Sequence, residues 1–214
     1  MKVENIIFDL DGTLADTLPG IKAAAAAAVA AVLPQAQVPD FHAMIGPPVR
    51  TILRQALGDL EARVLDELEE EFRLRYDDAG WRESSAYAGV IETLSSLAGL
   101  GVGNYLATNK PIVPTKKIMD HLDLTPYFVD IVSMTSRRPP FDSKLEVASH
   151  IIAEHGLDRR GTILVGDSSD DARAAQGLGI DFVAAAYGYG GVHACDDLPR
   201  LTVLTAFPDL LDIV

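Results

Sequence analysis

The chain has 214 residues, 48% of them hydrophobic, which suits one large domain or a core domain carrying a smaller insertion. Its 31 acidic residues outnumber 18 Lys and Arg, and the net charge of −13 argues against nucleic-acid or anionic-membrane partners, which demand basic surface. A small anionic substrate needs only a local positive site and is not excluded.

Ile6, Ile7 and Phe8 form a short apolar run of the kind found in a strand buried on both faces. The run ends in Asp9-Leu10-Asp11, and Gly12 and Thr13 break it. Side chains alternate along a strand, so Asp9 and Asp11 are expected to point the same way, at the carboxyl end where open α/β sheets bind ligands. Two carboxylates so close repel unless a cation separates them or one stays protonated. The pair implies a bound hard metal such as Mg2+, an acid/base couple, or both. An Asp-Gly hairpin turn is the plainer alternative, but the helical pattern that follows argues against it. The first strand begins within a few residues of Met1, so no secretory leader is expected. The longest apolar stretch, residues 23–33, is mostly alanine and too short to span a bilayer, so the chain is expected to be soluble.

Residues 23–33, 48–57 and 60–76 carry three helical patterns with no convincing strand between them. Leu60, Val64, Leu65, Leu68 and Phe72 recur at helical spacing, and Glu67, Glu69, Glu70 and Glu71 cluster on what is expected to be the solvated face. This block, residues 16–85, interrupts a core made of residues 1–15 and 86–214. Placed directly after the first strand, it could fold over the catalytic edge as a lid. Within it, Gly46-Pro47-Pro48 makes a stiff loop leading into a helix. Arg50 there could reach a carboxylate or second phosphate of a substrate, or could be a solvated helix arginine.

Further strand-like runs fall at residues 105–108, 131–134, 162–167 and 182–186, separated by helical segments that include 114–122 and 144–155. Such alternation indicates βαβ units and a doubly wound parallel sheet, Rossmann-like in class. Three more strand ends carry polar residues. Thr108-Asn109-Lys110 offers a hydroxyl and an amide to a phosphate, although Thr108 or Asn109 could instead cap the helix after Pro111. Lys144 opens a helix, where an ammonium is unfavourable unless it has an anionic partner. Gly166-Asp167-Ser168-Ser169-Asp170-Asp171 puts several acids at a strand end, more than one helix cap explains and suited to a hard cation. Cys195 is the single cysteine, is expected to be a packing residue, and points to a reducing, cytoplasmic setting.

These stretches resemble, in order, the four motifs of the haloacid dehalogenase-like hydrolases. Phe8-Asp9-Leu10-Asp11-Gly12-Thr13 is similar to the first motif, in the branch that cleaves phosphate esters, and Tyr187-Gly188-Tyr189-Gly190 to a loop of the phosphoglycolate phosphatase-like members. The resemblance implies a helical cap after the first strand, Asp9 as nucleophile and Asp11 as general acid/base. It further implies Thr108 as phosphate ligand, with Asn109 and Lys110 beside the substrate, and Lys144 as the cation offsetting nucleophile and phosphate charge. Mg2+ would be held by Asp9, Asp167 and the main-chain carbonyl of Asp11. Asp171 would be the second acid of the fourth motif, with Asp170 as the fallback. Leu145 stands where many members have proline, and Lys144-Leu145-Glu146-Val147, like Gly46-Pro47-Pro48, is similar to the nucleotidase-like relatives. The expected activity is hydrolysis of a small phosphorylated metabolite, phosphoglycolate or a nucleoside monophosphate, by a monomer or homodimer. Asp11 argues against dehalogenation, and the lack of lysine from residue 23 to 109 against a Schiff-base hydrolase. A sugar-phosphate mutase and a non-catalytic phospho-ligand binding module are the alternatives.

Overall fold

Ile6, Ile7 and Phe8 are fully buried in strand β1 (Asn5–Phe8) of the computed structural model. The structure describes residues 2–37, 48–190 and 199–214. Gly46, Pro47 and Cys195, singled out above, lie outside the described residues. The two faces of β1 serve two cores, as an unbroken apolar run requires. Ile6 and Phe8 pack with Leu94, Ile118 and Phe207, whereas Ile7 packs with Val147, Ile151 and Ala175.

After β1 the chain forms a two-residue strand, β2 (Ala15–Asp16), and then three helices: α1 (Leu18–Val32), α2 (Val49–Leu57) and α3 (Ala62–Asp78). α1 starts ahead of the alanine run because Pro19 lies in its first turn, where no N–H is needed. Ala24, Ala25 and Ala28 are buried, and together with Ile21 and Val29 they pack on Leu65, Leu68 and Phe72 of α3 and on Ile52 and Leu53 of α2. The opposite face of α3 is charged, with i,i+4 ion pairs Arg63–Glu67, Arg73–Glu69 and Arg75–Glu71. Such exposed pairs contribute only about 0.3–0.5 kcal/mol each, so the apolar contact holds α3 in place. The chain returns through β3 (Ser85–Ala86), antiparallel to β2, so one narrow ribbon carries both strands joining the helical insert to the sheet.

The remainder alternates helix and strand: α4 (Val90–Gly99), β4 (Gly103–Thr108), α5 (Ile112–His121), β5 (Asp130–Ser133), α6 (Lys144–His155), β6 (Thr162–Gly166), α7 (Ser169–Leu178), β7 (Asp181–Ala185) and β8 (Thr202–Leu204). β1, β4, β5, β6, β7 and β8 form a parallel sheet in the order β5-β4-β1-β6-β7-β8. The expected α/β, Rossmann-like sheet is present. The edge strand β8, helix α4 and the β2/β3 ribbon add to the elements expected from the sequence. Strand order reverses at β1, and the crevice at such a switch point is where open α/β sheets place ligands. Phe8 is in register with Leu106 of β4 and Val165 of β6, so the ends of three strands deliver Asp9, Thr108 and Asp167 to that crevice. Among the described residues, no helix is long and apolar enough to cross a membrane.

Candidate active site

Asp9 follows β1 directly, anchored by its main-chain N–H to the carbonyl of Val165 at 3.0 Å. Its buried carboxylate accepts from Nζ of Lys144 at 2.7 Å. Lys144 is the first residue of α6, and its ammonium also reaches Oδ1 of Asp171 at 2.6 Å. The unfavourable position against the helix dipole is thus compensated by two carboxylates. Asp171 is spent on all sides, since its Oδ2 accepts from the main-chain N–H of Ser168 at 3.0 Å and from the Ser168 hydroxyl at 2.5 Å. Ser168 and Asp171 form the capping box that starts α7. Gly166 must be glycine because a β-carbon there would overlap the Asp171 carboxyl. Asp170 instead faces outward, paired with Arg173 at 3.5 Å.

Asp9, Asp167 and Asp171 are all buried, with carboxylate oxygens within 4.8 Å of one another. Burial raises the pKa of Asp9 well above the usual carboxylate range, and Asp171, Asp11 and Asp167 add to this against the opposing charge of Lys144. Burial likewise pushes Asp167 up to about 7, with Asp171 adding to it, against the N–H groups of Gly190 and Tyr189 and the ammonium of Lys144. Burial alone would lower the pKa of Lys144, but Asp171 and Asp9 outweigh it and hold the ammonium charged. Were all three carboxylates ionised, the one ammonium would leave two negative charges uncompensated in this site.

Asp11 does not share that cluster. Its carboxylate faces the insert side, bound to Nζ of Lys110 at 2.9 Å and to the hydroxyl of Thr17. The Asp11 carboxylate is directed away from that of Asp9 because the chain turns after Phe8, and Gly12, with φ of +81°, bends it further. Thr108 is buried at the end of β4, and its hydroxyl accepts the N–H of Lys110 at 3.1 Å. Neither Thr108 nor Asn109 caps α5, because Pro111 occupies that position without a side-chain bond. Asn109 and Lys110 line a cavity of about 460 Å³ between the sheet edge and the insert. Arg50 is not brought to the acids. Its guanidinium is taken by Asp66 at 2.6 Å and Glu69 at 3.1 Å on α3, and these carboxylates raise its pKa.

A strand-end nucleophile candidate, a buried lysine and an acid cluster on this sheet order accord with the comparison to known proteins. Residues 6–185 match the haloacid dehalogenase-like hydrolases. The chain belongs to that family. It is 29% identical over 211 residues to a 5'-nucleotidase of Pseudomonas aeruginosa, covering 94% of this chain and 95% of that protein. It is 31% identical over 208 residues to phosphoglycolate phosphatase 1 of the same organism, covering 92% of this chain and 75% of that protein. The crystal structure of a predicted phosphoglycolate phosphatase from Haemophilus somnus superposes with a TM-score of 0.85 at 25% identity, covering 100% of this chain and 98% of that one. The chain is an enzyme of the phosphatase branch of these hydrolases.

Residues of this hydrolase that were not assigned a role from the sequence complete the site. The main-chain N–H groups of Tyr189 and Gly190 donate to Oδ2 of Asp167 at 2.7 Å and 3.2 Å. The Tyr187 hydroxyl donates to the carbonyl of Thr13 at 3.0 Å, pinning this loop over the turn after β1. Tyr187-Gly188-Tyr189-Gly190 stands out as a motif in the sequence, but its contacts run through the main chain and across the fold. No residue spacing encodes them.

Proposed function

We propose that this hydrolase is a Mg2+-dependent phosphomonoesterase acting through an aspartyl-phosphate on a small phosphorylated metabolite, phosphoglycolate-like or a nucleoside monophosphate. The observation that carries the reading is the buried Asp9 carboxylate beside Asp167 and Asp171, with Lys144 at 2.7 Å. Residues 16–85 act as a helical cap on a core of residues 1–15 and 86–214, with the β2/β3 ribbon as the neck between them. The single cysteine accords with a cytoplasmic setting.

The donor chemistry fits Mg2+. The oxygens are hard, the site is buried, and the unbalanced charge is that of one divalent cation. Asp9 and Asp167 would hold it, with the main-chain carbonyl of Asp11. Asp171, already accepting from Lys144 and Ser168, would act behind them by orienting the ammonium. When bound, the cation would offset the repulsion between nucleophile and phosphoryl group.

In the first half-reaction a carboxylate oxygen of Asp9 attacks phosphorus, and the bond from phosphorus to the ester oxygen breaks. Asp11 gives its proton to that oxygen, so a neutral alcohol leaves. In the second, water attacks the same phosphorus and returns a proton to Asp11. The bond from Asp9 to phosphorus breaks, releasing inorganic phosphate and restoring the enzyme. Lys144 favours the ionised form of Asp9 against the burial that raises its pKa, and stabilises charge on the phosphoryl oxygens. Thr108 already accepts the Lys110 N–H, and donates its own proton to one of them. The cap and the cavity beneath it keep bulk water from the intermediate.

Phosphate release from a panel of phosphate esters, with and without Mg2+, tests this beside Asp9→Asn. Turnover that needs both the metal and Asp9 is expected. Substantial activity in Asp9→Asn would overturn the assignment.

A further inference from the structure

The cavity of about 460 Å³ between cap and core falls within the range of small-molecule sites and opens outward from Asp11. On the phosphatase reading above, this is where the alcohol portion of the ester lies. Its walls are one-sided in chemistry. Ile21, Ile52 and Phe72 line it from the cap, and Val113, Pro114 and Met134 from the core. Phe72 stacks on Tyr76 with ring centroids 5.4 Å apart and planes within 9°, giving a flat aromatic flank, and Lys110 lies 4.8 Å from the Tyr76 ring centroid.

Two cations line the cavity among the described residues, Lys110 and Arg73, and each is engaged. Lys110 is bound to Asp11 at 2.9 Å and Arg73 to Glu69 at 2.5 Å. Asp77 adds a further carboxylate to the wall. A glycolate moiety would bring its own carboxylate into this excess of acid, without a free cation among the described lining residues to receive it. Its handful of non-hydrogen atoms would also leave most of the apolar wall uncovered. Burying an unpaired carboxylate is costly, whereas an uncharged alcohol with broad ring surface removes those walls from water.

We propose that the alcohol released by this enzyme is bulky and uncharged, of the nucleoside class, with its ring surface between Phe72 of the cap and Met134 of the core. Phosphoglycolate is then a poor substrate despite the resemblance to enzymes named for it.

The test is kcat/KM of the full chain with Mg2+ for uridine 5'-monophosphate, phenyl phosphate and 2-phosphoglycolate. Uridine monophosphate and phenyl phosphate are expected to exceed 2-phosphoglycolate by at least about tenfold. Val113→Lys and Val49→Lys place an ammonium in the wall at exposed and half-buried positions that tolerate it. Each is expected to shift the ratio toward 2-phosphoglycolate, through KM rather than kcat, by about tenfold. A wild-type preference for 2-phosphoglycolate, or a ratio unmoved in both lysine variants, would overturn the inference and leave the phosphatase reading standing. No turnover of any of the three esters would overturn the phosphatase reading, and this inference with it.

Discussion

Tyr189 holds Asp167 through its main-chain N–H at 2.7 Å, while its hydroxyl donates to Oδ1 of Asp16 at 2.8 Å. The same hydroxyl accepts the N–H groups of Thr17 at 2.5 Å and Leu18 at 3.0 Å. One residue therefore joins the acid after β6 to the strand and helix start that lead into the cap. Tyr189→Phe removes the hydroxyl bonds and keeps the main-chain donor. It is expected to cost about 1–3 kcal/mol of stability, from the Thr17 N–H left without its acceptor, whereas the Leu18 N–H keeps Oδ1 of Asp16 at 3.1 Å. Mg2+ affinity is expected to persist, because the bond to Asp167 is retained. Chemical denaturation and a calorimetric Mg2+ titration check the two halves separately.

Lys144 is bracketed by Asp9 and Asp171 at 2.7 and 2.6 Å, all three buried. Lys144→Met strands two carboxylates without their cation, an error that costs roughly 3–5 kcal/mol in buried pairs. Mg2+ is expected to recover part of that loss, since it supplies positive charge to Asp9, but not activity. Urea denaturation with and without Mg2+ reads the recovery. Equal stability of variant and wild type in both conditions would show that the pair is not a net contributor.

How much of this was legible depended on whether a residue's role is local. Asp9 and Asp167 were legible because each follows directly on a short apolar run, where a buried strand must end. Lys144 was legible as a charge in the wrong place on a helix, which implied an anionic partner without saying which. The partners themselves came from the sheet order, which brings β6 beside β1 although more than a hundred residues of cap and core lie between them. Arg50 shows the opposite case. Asp66 and Glu69 meet it only once α2 packs on α3, so its place in the sequence named neither partner. The β2/β3 ribbon was invisible, since two residues per strand show no alternation to detect. α7 caps itself through Ser168 and Asp171, so the acids after β6 serve helix start and site together.

Asp11 lies apart from the acid cluster, bound to Lys110 at 2.9 Å and to Thr17. On the proposed reading, that position suits the carboxylate to proton transfer at the leaving oxygen and leaves the main-chain carbonyl to the cation. Asp11→Asn is expected to lower kcat by about 10²–10⁴ for an alkyl ester such as uridine monophosphate. For p-nitrophenyl phosphate, whose leaving oxygen needs no proton, the loss is expected to be far smaller. Steady-state kinetics on both esters decides it. Equal losses on the two would remove Asp11 from the proton transfer.

On the proposed reading, Asp167 makes the cation site sensitive to pH. Burial and the charge of Asp171 push it up to about 7. In the unfolded chain it titrates in the ordinary carboxylate range, so between that range and about 7 the folded state keeps a proton that the unfolded state has lost. Metal-free stability therefore falls as pH rises through this window, and the whole penalty is present above it. Mg2+ requires the ionised carboxylate, and below this pKa it must displace the proton. Its apparent affinity is expected to fall by up to about tenfold per pH unit below that point. Its stabilisation of the fold is accordingly expected to be largest on the alkaline side. Titration calorimetry and thermal unfolding between about pH 5.5 and 7.5 measure both. The same titrations on Asp167→Asn should show weak affinity with a shallower slope, since the variant has no proton to release at position 167. A slope undiminished in that variant would assign the pH dependence to Asp9, whose pKa burial raises as well.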